Sequence, residues 1–121
     1  MVKVIEIKTA INELLESKHE RVYYQSAPKD ATFPYLVFDL PNSTDDGSLE
    51  RFVLDIDAWD NKKDTTEIET LIDSIDKGLH RKTIVVNDLS MTFYRENRLA
   101  LRDDDPSIRR RKYIYQIRTY E

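Results

Sequence analysis

Asp55 and Asp57 stand one residue apart in the stretch LDIDAW, so in an extended strand their carboxylates project to the same side. With Asp39, in YLVFDL on a neighbouring strand, they could hold a magnesium ion, a hard cation that takes oxygen ligands. The final strand offers a plainer use for them. Arg110, Lys112, Gln116 and Arg118 recur there at alternate positions and can meet the carboxylates across the sheet. Alternation by itself puts polar groups on the outward side of a half-buried strand. A metal-dependent enzyme using Asp55 and Asp57 is therefore the minor reading, and ion pairing the major one.

The second cluster is LALRDDDPSIRRRK, residues 99–112, where Asp103, Asp104 and Asp105 are followed by Arg109, Arg110, Arg111 and Lys112. Arginines interleaved with Tyr113 and Tyr115 can read as a nucleic-acid patch. In a strand, however, the four basic residues alternate faces, while Tyr113, Tyr115 and Ile117 form a stripe at the period of core packing. The three aspartates also weaken phosphate attraction nearby. As a solvated hairpin tip, such pairs are worth only about 0–1 kcal/mol each. As a contact surface, the same charges set partner choice and orientation.

Other chemistries leave no trace. The chain has no cysteine, which removes thiolate nucleophiles, disulfides and zinc ribbons together. It carries no glycine-rich phosphate loop, no GxSxG and no HExxH. His19 and His80 fall at the ends of two expected helices, where a cation favours the helix dipole.

The elements that must position these residues are legible from spacing. Val4, Ile7, Ile11, Leu14 and Leu15 predict an amphipathic helix over residues 3–18. RVYYQS is a short aromatic strand, and APKDATFP a turn-rich connection. YLVFDL resumes as a strand with Leu36, Phe38 and Leu40 on one face; PNSTDDGS is a loop by composition. LERFVLDIDAW is the clearest strand, turning Phe52, Leu54, Ile56 and Ala58 one way and Val53, Asp55, Asp57 and Trp59 the other. Asp64-Thr65-Thr66-Glu67 has capping-box spacing and opens a helix over about 65–79 built on Ile68, Leu71, Ile72, Ile75 and Leu79. The remainder is strand material with breaks near Asn87-Asp88 and Asn97, a final strand over about 110–120, and an exposed loop at Asp103–Ile108. The expected fold class is α+β, an antiparallel β-sheet with two α-helices packed on one face, in one domain over residues 1–121.

At 121 residues, 40% hydrophobic and 35% charged, with two glycines, the composition is that of a folded domain with a charged surface. No apolar run approaches the roughly 20 residues that cross a bilayer, so neither export nor membrane insertion is expected. The net charge of −4 is uneven: residues 1–80 hold 9 Lys/Arg and 17 Asp/Glu, and residues 81–121 hold 10 and 6. An acidic whole argues against broad nucleic-acid binding. The asymmetry suits self-association of a basic face with an acidic one.

ATFPYLVFDL followed by LDIDAWDNKKDTTEIETLIDSIDKGLH resembles the tail terminator (tail completion) proteins of long-tailed bacteriophages. The shared pattern is a Pro-Tyr-led strand, a strand closing on Trp59, a few polar residues, and a helix ending at Leu79, within residues 4–120. The resemblance implies a structural, non-enzymatic subunit without cofactor. It would assemble as a ring of copies, commonly six, at the head-proximal end of the tail tube. There it would stop tube polymerisation and present the surface that joins head connector proteins, while DNA passes through the lumen. A neck or head-closure subunit is the alternative within this class. The implied location is the virion tail, assembled in the host cytoplasm. The residues expected to touch neighbouring subunits or the tube are Asp103, Asp104, Asp105, Arg109, Arg110 and Arg111.

Overall fold

The computed structural model describes residues 2–120 of the domain expected over 1–121. Its elements run α1 (Lys3–Glu16), β1 (Val22–Tyr24), β2 (Tyr35–Asp39), β3 (Ser43–Asp45), β4 (Glu50–Asp60), α2 (Thr66–Leu79), β5 (Thr83–Val86), β6 (Leu89–Arg102) and β7 (Arg109–Tyr120). The strands form one sheet in the order β1-β2-β4-β7-β6-β5, with β3 paired to the start of β4. All pairs are antiparallel except β1 with β2. The wholly antiparallel expectation fails there because residues 25–34 carry the chain back before β2 begins, which leaves β1 running alongside it.

The core follows the period-two stripes of the strands. Leu36, Phe38, Leu54, Ile56, Met91, Phe93, Tyr115 and Ile117 are buried on one face, each aliphatic member contributing about 1.5–3 kcal/mol by leaving water. Ile7, Ile11 and Leu15 of α1 and Ile68, Ile72, Ile75 and Leu79 of α2 join the same cluster, so both helices cover that one face. Val4, expected in the core, is 40% exposed because it precedes the buried stripe at the first turn of α1. The helix also stops at Glu16, short of the expected residue 18. Backbone bonds from Ser17 to Glu13 and from Lys18 to Leu15 tighten its end into a turn.

Three other local expectations change. Asp64 does not close a capping box: its Oδ1 accepts the Thr66 amide at 2.9 Å and the Thr66 hydroxyl at 2.7 Å, and Glu67 pairs with Lys62 instead of folding back. PNSTDDGS contains the short strand β3, followed by a turn in which Gly47 takes a φ of +89°. Asn97 does not break the chain. The register passes from Arg95 opposite Tyr115 to Asn97 opposite Ile114, so Glu96 is the extra residue of a β-bulge and β6 continues to Arg102. The break at Asn87-Asp88 is present, as the turn joining β5 to β6.

Candidate functional site

The eleven-residue pairing of β4 with β7 builds the uncovered face of the sheet. In its register Asp57 is opposite Lys112 and Trp59 opposite Arg110. Lys112 Nζ lies 3.6 Å from Asp55 Oδ2 and 3.7 Å from Asp57 Oδ2, so an ammonium group occupies the position a cation would take between the two carboxylates. Arg110 reaches Asp57 Oδ1 at 3.3 Å, and its guanidinium sits 4.1 Å from the centre of the Trp59 ring, within cation–π range. Trp59 in turn stacks on Tyr35 at 5.9 Å and 10°. Burial raises the pKa of the Asp57 carboxyl, and Arg110 and Lys112 partly offset that rise. Asp39 is opposite Asp55 in the β2–β4 register, and its Oδ1 accepts the Leu40 amide at 2.9 Å. Among the described residues no group of three His, Cys, Asp or Glu side chains could hold a metal ion.

The hairpin joining β6 to β7 places the second cluster. The loop of residues 103–108 lies outside the sheet, with Asp104, Asp105, Pro106 and Ser107 exposed. Asp105 Oδ1 accepts the Ser107 amide at 2.9 Å and its hydroxyl at 2.7 Å, which lowers the pKa of the Asp105 carboxyl. Asp103 Oδ2 accepts the Asp105 amide at 3.1 Å, and Arg109 Nη1 donates to the Pro106 carbonyl at 2.6 Å. Strand alternation then separates the remaining two arginines. Arg110 lies on the uncovered face, while Arg111 lies on the helix side, where its Nε donates to Glu69 Oε1 of α2 at 2.6 Å. The structure thus gathers Asp103, Asp105 and Arg109 at the tip and sends Arg110 and Arg111 to opposite faces.

The charge asymmetry along the chain is largely folded into the molecule. Arg95 pairs with Asp76, Arg110 with Asp57, Arg111 with Glu69 and Lys112 with Asp55 and Asp57, each joining the basic last third to the acidic remainder. Sequence reasoning missed one such group. Asp76, buried at 7% exposure on the inner face of α2, accepts the Tyr115 phenol at 2.7 Å and pairs with Arg95. Next to it His80 Nδ1 accepts the Arg95 amide at 2.9 Å. That nitrogen therefore carries a lone pair, and His80 serves as an acceptor where the sequence suggested a cation for the helix dipole. The signal for Asp76 was present: an acid four residues after Ile72 and three before Leu79 falls on the apolar stripe.

Over residues 5–120 the chain matches the model of a family described as Tail completion protein gp17. The chain belongs to this tail completion family. Its fold is also that of a chain in a solved structure titled "Virion of native gene transfer agent (GTA) particle", at a TM-score of 0.72 and 12% identity over 90% of each chain. No curated protein sequence matches it. As a member of this family it is a tail completion protein.

Proposed function

We propose that this tail completion protein is a non-enzymatic ring subunit, commonly one of six, at the head-proximal end of the tail tube. The ring stops tube polymerisation and offers the head connector proteins a joining surface. It takes no cofactor, and DNA crosses its lumen without sequence-specific binding, in keeping with a net charge of −4. Assembly takes place in the host cytoplasm.

The observation that carries this reading is the family match across residues 5–120. The charged tip of the β6–β7 hairpin, standing outside the sheet, supports it as a contact surface. Asp103, Asp104, Asp105 and Arg109 act there against neighbouring copies or the tube. Arg110 and Arg111 hold the base of the hairpin through Asp57 and Glu69 and add to the contact from either face.

Complementation tests the proposal. Particles made without this chain are expected to carry tails of uncontrolled length that fail to join heads, and the purified chain added to such tails should restore joining. Normal tails in its absence overturn the reading, and activity restored by adding the chain to heads alone moves it to the neck.

A further inference from the structure

We infer that the outer end of the β6–β7 hairpin is a carboxylate-binding groove for a second copy of this chain, anchored by Arg102 and Arg109. The inference rests on the ring reading and names the chemistry of one of its contacts.

Arg102 and Arg109 are directly opposite one another in the β6–β7 register. Like charges in that position destabilise a sheet, so the pair costs the isolated chain stability. Among the described residues no carboxylate pairs with either: the loop aspartates Asp103 and Asp105 accept amides of the loop itself, and Glu69 is taken by Arg111. The two guanidiniums border an open groove of about 680 Å³ whose apolar lining includes Ala100, Pro106 and Ile108. Arginine beside an apolar floor is the composition of a protein contact. The surface is also open from the side, because β5 pairs only with residues 89–92 of β6 and leaves the outer part of that strand with β7 alone.

Charge complementarity selects the occupant. A second copy brings acidic groups that stay at the surface after the internal ion pairing: Glu13, Glu16, Asp30 and Asp45 are exposed. A single side-chain carboxylate can be met by both arginines. A nucleic-acid strand, with one phosphate charge for every ~1.7 Å of duplex, would bring further anions against Asp103, which also lines the groove, and against Asp104 and Asp105 beside it.

Sedimentation of the purified wild-type chain across a concentration and salt series, alone and with tail tubes, tests the inference against the R102E/R109E double variant. Wild type should self-associate, less so at high salt, and the double variant should lose about tenfold or more in association constant with unchanged Trp59 emission. Should that variant fail to fold, R102A, at an exposed position, carries the measurement with a loss of about threefold. Equal association of variant and wild type overturns the inference and leaves the ring reading standing, and a wild type that stays monomeric even with tubes overturns both. Salt-dependent binding of a DNA duplex, lost in the variant, also overturns it, because the occupant is then phosphate. Normal tails made without the chain overturn the ring reading alone, since the association measurement does not depend on it.

Discussion

The Tyr115 phenol donates a 2.7 Å hydrogen bond to Asp76 Oδ1, tying the central strand β7 to helix α2 through the core. Both groups are buried, and Arg95 of β6 completes the arrangement from the other oxygen of Asp76. Burial is the main cause of a phenol pKa pushed far above its ordinary value, and the Asp76 hydrogen bond adds to it. The link fixes α2 above the bulged part of β6, where the hairpin begins to leave the covered sheet.

Replacing Tyr115 with Phe removes the donor and keeps the ring. The expected loss of stability is about 1–2 kcal/mol, read as a lower urea midpoint at unchanged slope. Asp76→Ala should cost more, about 3 kcal/mol, because it strands both the phenol and the Arg95 guanidinium.

Trp59 is the only tryptophan, and Arg110 lies over its ring. Arg110→Ala should shift the intrinsic emission and cost about 1 kcal/mol. Arg111→Ala, one residue on but on the helix side, should leave the emission unchanged. Equal spectral effects from both would contradict the separation of the two arginines onto opposite faces.

Carboxyl titrations should run in opposite directions around the ordinary value of 3.8. Hydrogen bonds from Ser48, Leu49 and Arg51 hold Asp46 well below it, and Ser107 does the same for Asp105. A depressed carboxyl contributes stability that is present above 3.8 and lost as pH falls through its folded value. Asp57 is raised, chiefly by burial, so its contribution is present below 3.8 and lost as pH rises through its folded value. Carbon-13 spectra of the side-chain carboxyls should therefore show Asp57 taking up its proton first as acid is added, with Asp46 and Asp105 following.

Unbroken alternation from Leu89 would carry Leu99 and Leu101 to the same face as Phe93. The bulge at Glu96 reverses that phase and sets them opposite Lys112 and Arg110 on the uncovered face. Leu99→Lys and Leu101→Lys should each fold with a loss below about 1 kcal/mol, by thermal unfolding. Phe93→Lys, which buries an unpaired ammonium, should not fold.

Most of the architecture was legible because its residues obey a period. The strands around Phe38 and Ile56, the helix through Ile72, and the exposed loop at Asp103–Ile108 follow from alternation, three-to-four spacing and proline chemistry. The pairing of Asp55 and Asp57 with Arg110 and Lys112 was legible for the same reason. What escaped depends on neighbours distant in sequence. The bulge at Glu96 has no local signature, the parallel edge of β1 is set by where the chain returns, and the arginine opposite Arg109 becomes visible only once the hairpin register is known. Asp76 carried a signal in its own helix, but its partners lie 19 and 39 residues away.

The position of β7 bears on how the protein is made. It follows every other element in chain order, yet it lies between β4 and β6 and completes both of their ladders. A nascent polypeptide still short of Arg109 at the tunnel exit holds β4 with one long edge bare and its apolar stripe half covered, a template for mispairing with other unfinished chains. Closure of the sheet thus waits on the emergence of Arg109–Tyr120, and products truncated before Arg109 ought to be insoluble.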